Sequence, residues 1–218
     1  MGDAAYDLNA VVPDTAGVAS AARLLSEVFP GAAHFTEAVV KWQYADNPDG
    51  AVVGFNAWTG DELAAHYVTI PLLARVDGNE ERGLLSLNTA THPAHQGKGL
   101  FTKLANATYD EGARQGFGFV IGVANANSTH GFTKKLGFQL VSPLCAMIGF
   151  GPLAFDQPDR IQYEHSWSDA ALRWRLAHPK FRYRLKRTPA MDLVLTDRVQ
   201  RGARHVLAAL PLNSVPSG

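Results

Sequence analysis

A single cysteine, Cys145, is all that the 218-residue chain offers for sulfur cross-linking, so an intramolecular disulfide is excluded and a reducing compartment is expected. Excess charge of either sign is also missing. Twenty basic residues face 20 acidic ones, which leaves no overall field to gather nucleic acid or an anionic membrane surface. Long apolar runs are absent too, with none approaching the roughly 18 residues that a membrane-spanning helix needs. The first residues carry no basic stretch followed by an apolar one, so no secretory leader is read there. Together these absences predict a cytoplasmic protein with no nucleic-acid or membrane partner. Any anion site has to be local.

What is present is enough apolar material, 46% of residues, for the core of one or two compact domains. Cys145 lies inside the apolar run Pro143 to Phe150 and reads as a small buried hydrophobe. Asp14 is a plausible N-cap for a helix to Val28, because Val18, Ala21, Ala22, Leu25 and Val28 recur at helical spacing before Pro30-Gly31. A second helix is predicted from Thr36 to Tyr44. Two strands follow, Val52 to Trp58 and Leu63 to Pro71, as an antiparallel hairpin around a glycine turn. A strand from Gly83 to Thr91, a helix from Leu100 to Gln115, a strand from Phe117 to Val123, a helix from Ser128 to Leu136 and a strand from Phe138 to Phe150 complete a mixed α/β pattern. The chain divides into a domain over 1–150 and a C-terminal extension over 151–218, the latter with a helix from Ser168 to Ala177.

The segment that carries chemistry follows the strand ending at Thr91. It reads His92-Pro93-Ala94-His95-Gln96-Gly97-Lys98-Gly99-Leu100-Phe101, two glycines at the point where a turn becomes a helix. Such a turn presents backbone N–H groups at the positive end of a helix dipole, a site suited to a pyrophosphate. It lacks the Lys-Ser/Thr ending of a P-loop and the third glycine of a dinucleotide fingerprint, which leaves a coenzyme A loop.

Thr91-His92-Pro93 with Gln96-Gly97-Lys98-Gly99-Leu100-Phe101 and Leu104 resembles the acetyl-CoA motif of the GNAT superfamily of N-acetyltransferases. The general motif is Gln/Arg-x-x-Gly-x-Gly/Ala, and here Gln96 directly precedes Gly97, so that Ala94 falls on its first position. Asn125-Ala126-Asn127-Ser128, Gly131-Phe132 and Lys135-Leu136-Gly137-Phe138 resemble the superfamily's second signature. Lys41-Trp42-Gln43-Tyr44, Asn47-Pro48, Trp174-Arg175 and His178-Pro179 are similar to a bacterial subset that includes sugar-nucleotide amine acetyltransferases.

The resemblance implies an α/β (α+β) fold with a mixed, mostly antiparallel twisted sheet, splayed between two parallel central strands and flanked by helices. It implies acetyl-CoA as acyl donor, no metal, and a cofactor site made of Thr89, Ala90, Thr91, Gln96, Gly97, Lys98, Gly99, Leu100, Phe101, Asn125, Ser128 and Phe132. Backbone N–H groups near Ala90 are expected to polarise the thioester, which would sit beside Asn88 and Thr89.

For the base that takes the amine proton, His66 is the first choice, since imidazole titrates near neutral pH, with His92 behind it. Many relatives carry a tyrosine acid where this chain has Thr133. Ser128, a water, or an unaided thiolate stand as alternatives. Asn88 joins the catalytic expectations. The acceptor is expected to be a primary amine, with an amino sugar on a nucleotide favoured, bound through Trp42, Tyr44 and the basic, aromatic stretch holding Arg182 and Arg184; a peptide or other small-molecule amine, or a non-catalytic acyl-CoA-binding regulator, are the alternatives. A homodimer is left open.

Overall fold

The computed structural model describes residues 5–141, 162–189, 191–197, 202 and 205–210. Cys145 and most of the strand expected from Phe138 to Phe150 lie outside the described residues, and 137–141 form no strand.

Strand β1 (Asp7–Ala10) leads to helix α1 (Thr15–Val28), where the Asp14 carboxylate accepts the Gly17 N–H as N-cap. Thr36 caps α2 (Glu37–Tyr44) in the same way, through Val39 N–H. β2 (Val53–Thr59), β3 (Glu62–Val76) and β4 (Asn79–Thr91) form an antiparallel meander with β1 at its edge, and α3 (Leu100–Arg114) returns the chain to β5 (Phe119–Gly122), which runs parallel to β4. The order β1-β2-β3-β4-β5 matches the expected mixed sheet, with a difference in detail. Among the described residues β5 ends the sheet, so the parallel pair is not central.

β3 and β4 are longer than the sequence suggests. Pro71 reads as a strand end, yet β3 continues five residues beyond it to Val76. β2 stops opposite Thr69, so the proline falls on a stretch with no β2 ladder to interrupt. Asp77 and Gly78 then make the turn, both with positive φ (46° and 88°), the requirement of a two-residue type I′ hairpin.

Apolar cores cover both faces of this sheet. Leu24, Leu25, Val40 and Tyr44 from α1 and α2 pack with Val68, Ile70 and Ala90 on one side. Leu100, Leu104 and Ala105 from α3 pack with Ala57, Ala64, Ala65 and Tyr67 on the other. The run of alanines lets α3 lie close to the strands, fixing where its N-terminus emerges.

After α4 (Ala126–His130) and a π-helical turn over Gly131–Lys135, β6 (Tyr163–His165) joins the same sheet by pairing with β3 at Ala74–Val76. α5 (Asp169–Leu176) and a separate antiparallel sheet of β7 (Tyr183–Arg187), β8 (Asp192–Thr196) and β9 (Val206–Leu210) follow. α5 docks on α2 through Trp174, whose ring stacks on Trp42 at 4.4 Å. Each indole N–H donates to the other residue's carbonyl oxygen, at 3.0 and 2.9 Å.

Candidate active site

Beyond Thr91 the chain makes one 3-10 turn over Pro93–His95, and the Gln96 amide nitrogen donates back to the Thr91 carbonyl at 3.4 Å. The Gln96 side chain therefore braces the turn. Gly97 and Gly99 then adopt φ of 78° and 73°, and an added Cβ at either would meet no atom within 4 Å. Glycine is required here by backbone conformation, not by crowding from the protein itself.

Gly99 caps α3 without any side-chain hydrogen bond. Among the described residues, no acceptor serves the backbone N–H of Gly97, Lys98, Gly99, Leu100, Phe101 or Thr102; the first helical bond is Lys103 N–H to Gly99 O at 3.1 Å. A cleft of about 480 Å³ opens against these amides, lined by Thr89–Thr91 and His95–Thr102 together with Val28 and Lys135. Unpaired donors at a helix's positive end, bordering open space, fit the pyrophosphate of coenzyme A.

The loop's footing comes from residues that sequence reasoning did not reach. The Tyr6 hydroxyl meets His95 Nδ1 at 2.8 Å and accepts from Lys98 Nζ at 2.9 Å, while His95 Nε2 contacts the Glu62 carboxylate at 3.2 Å. His92 Nδ1 lies 3.7 Å from the same carboxylate. Ligand atoms of Glu62, His92 and His95 thus fall within 4.8 Å of one another, and these contacts account for the grouping without an ion. Nothing local in the sequence signals that residue 6 reaches residue 95.

The cleft continues to where two strands part. β4 and β5 pair from Gly83–Phe119 to Ser86–Gly122 and no further. Just past that point the β3–β4 register slips, from Val68 opposite Leu87 to His66 opposite Ala90. The extra residue makes a bulge, and Asn88 within it has φ of 49°. The bulge and the loss of β5 together turn the Thr89–Thr91 backbone toward the cleft.

A family model described as an acetyltransferase (GNAT) domain matches residues 14–141, more than half of the chain. The chain belongs to the GNAT acetyltransferase family. It is accordingly an acetyl-CoA-dependent acetyltransferase. Among solved structures, a GCN5-related N-acetyltransferase from Ralstonia eutropha aligns with TM-score 0.54 at 15% identity, over 66% of this chain and 99% of that one. An acetyltransferase from Trypanosoma brucei aligns with TM-score 0.50 at 18% identity, over 66% and 99%. An aminoglycoside acetyltransferase from an uncultured soil metagenomic sample aligns with TM-score 0.50 at 15% identity, over 67% and 99%. At these identities the likeness is one of fold. No curated protein matches the sequence.

Several expected side chains of the acetyltransferase occupy places other than the cleft wall. His66 is 1% exposed. Tyr44 Oη lies 2.8 Å from its Nε2, Asn56 Oδ1 lies 2.6 Å from its Nδ1, and burial holds its pKa down to about 3. Such an imidazole neither reaches an incoming amine nor retains its proton, which corrects the expectation that it is the base. Tyr44, likewise 1% exposed, and Trp42, 5% exposed and stacked on Trp174, are core and docking residues instead of acceptor contacts.

Asn125 and Ser128 bond to each other, with Ser128 N–H to Asn125 Oδ1 at 3.0 Å and Asn125 N–H to Ser128 Oγ at 3.1 Å. This reciprocal cap starts α4 and lies outside the cleft lining. Phe132 packs edge-to-face on Phe101 at 5.4 Å, anchoring the start of α3 from below. Thr133 donates to the Thr129 carbonyl at 2.9 Å and so is committed to its own helix. Arg182 and Arg184 are exposed at β7, where Arg184 pairs with Asp197 at 2.5 Å.

Proposed function

We propose that this acetyltransferase transfers the acetyl group of acetyl-CoA to the primary amine of a small molecule, with an amino sugar carried on a nucleotide as the favoured acceptor. The observation that carries the donor half is the row of unaccepted amides from Gly97 to Thr102, continuous with the bulged Thr89–Ala90 backbone at one cleft. Acetyl-CoA supplies a thioester whose carbonyl carbon the amine attacks, forming the C–N bond as the C–S bond breaks.

The residues divide that work. Gly97 to Thr102 hold the two phosphates through backbone N–H groups, and no side-chain cap competes for them. The Thr89–Thr91 edge, left without β5, directs main-chain N–H toward negative charge developing on the thioester oxygen. Proton removal from the amine falls to solvent, because His66 is sealed in the core. The thiol's ordinary pKa near 8.5 makes the thiolate a tolerable leaving group without a dedicated acid.

Support for a nucleotide-linked acceptor is the exposed basic edge of Arg182, just before β7, with Arg184 and Lys186 on it, alternate residues presenting cations along one run of chain. The direct test measures thiol release from acetyl-CoA with nucleotide-linked amino sugars, free amino sugars and peptide amines. Release with the first group alone supports the full reading. Release only with peptide amines sinks the acceptor assignment while leaving the donor site intact.

A further inference from the structure

Beneath the bulge in β4 lies a chain of hydrogen bonds with one polarity. Asn56 Oδ1 can only accept, so the 2.6 Å contact places the His66 proton on Nδ1. The bare Nε2 must then accept from the Tyr44 hydroxyl, 2.8 Å away. That hydroxyl has one proton and has given it, so its oxygen accepts from Asn88 Nδ2 at 3.0 Å. The other Nδ2 proton of Asn88 goes to Gln43 Oε1 at 2.7 Å. His66 at a pKa of about 3 stays neutral at working pH, which keeps every donor in this order.

The terminal residue of the chain is also the one with the unusual backbone. Asn88 has φ of 49°, a conformation in which an L side chain needs local support, and it immediately precedes Thr89 and Ala90, whose backbone lines the cleft. Its own side chain is pinned at two points, by α2 through Gln43 and by the buried hydroxyl of Tyr44.

We propose that Asn56, His66, Tyr44 and Gln43 are positioning residues, which hold Asn88 in its left-handed bulge and thereby aim the Thr89–Ala90 main chain at the thioester carbonyl. None touches the reacting atoms. The inference rests on the reading that this backbone polarises the carbonyl, and the experiment separates the two.

The probe is acetyl-CoA labelled with carbon-13 at the acetyl carbonyl, whose stretching frequency in the bound state reports how strongly the oxygen is hydrogen-bonded. Wild-type protein should lower that frequency relative to free acetyl-CoA. Tyr44→Phe, which keeps the ring and removes the link to both His66 and Asn88, should lose more than about half of the shift while the dissociation constant for acetyl-CoA stays within about threefold. Asn88→Gly, free to hold positive φ, should keep more of the shift than Asn88→Ala, which is not.

A frequency in Tyr44→Phe equal to that of the wild type overturns the positioning role and leaves the carbonyl reading standing. Equal loss in Asn88→Gly and Asn88→Ala also overturns it, since the side chain would then act directly and not through the backbone. Absence of any shift in the wild type removes the underlying reading itself. If Tyr44→Phe does not fold, Gln43→Leu, which removes the other anchor from a half-buried position, supplies the same comparison.

Discussion

The polar chain under Asn88, near the C-terminal end of β4, and the glycine loop that follows the strand solve opposite problems. At the loop, successive backbone donors are left without partners, and the fold's contribution is to keep its own side chains away from them. Around Asn88, side-chain donors and acceptors of Gln43, Asn88, Tyr44, His66 and Asn56 meet in a fixed order. A binding surface is made by withholding partners, and a rigid backbone by supplying them.

The most severe way to break this contrast is to supply a partner at the loop. Gly99→Glu sets a carboxylate against the free amides and forces a side chain onto φ of 73°, so acetyl-CoA affinity should fall by more than about a hundredfold. Calorimetric titration checks it, and wild-type affinity in that variant would return the turn to a purely structural role.

The opposite manipulation adds charge to the polar chain. His66 is depressed from 6.5 to about 3 by burial, so the unfolded chain takes up a proton that the folded one refuses as pH falls through that window. Its contribution is fully present above pH 6.5 and should be lost on acidification at up to about 1.4 kcal/mol per pH unit until about pH 3. His165 and His178, lowered chiefly by burial, act in the same direction. Denaturant unfolding at pH 7.5, 6, 5 and 4 should show the decline, and His66→Gln should start less stable yet slope less steeply. A slope unchanged in that variant would mean that another group carries the pH dependence.

Trp174→Ala tests whether the glycine loop and the polar chain depend on the C-terminal segment. Loss of the ring stacked on Trp42 and of both indole–carbonyl bonds should cost about 3 kcal/mol, the low end for a large aromatic because the residue is half-buried. Proteolysis after α5 should accelerate while acetyl-CoA affinity holds, and a matching loss of affinity would show the loop to be coupled to that docking. The smallest effect belongs to Arg184→Ala. Its ion pair with Asp197 is solvent-exposed, so unfolding free energy should change by less than about 1 kcal/mol.

How much of this was legible in the sequence follows the same division. Gly97 and Gly99 announce themselves, because a positive φ demands glycine and the strand and helix on either side are plain in their periodicity. Asp14, Thr36 and Ser168 each mark a helix start as capping chemistry requires. The polar chain left no such trace. His66 in a strand facing a cleft reads as a base, and only packing of α2 against β3 shows that Tyr44 has closed over it, with Asn56 beside it on the paired strand β2. Trp42 misled for a similar reason, since its partner lies 132 positions away. Backbone-borne function is written locally, whereas side-chain placement is decided by contacts across the chain that no spacing rule reports.

The length of β3 carries a last consequence. β2 pairs it only as far as Thr69, and β6 covers Ala74–Val76. During synthesis the second half of that strand emerges well before β6 does, offering unpaired amides and carbonyls to any extended chain nearby. A polypeptide cut short ahead of Tyr163 would keep that edge open permanently. Its expected fate is self-association through strand addition, even with the coenzyme loop already in place.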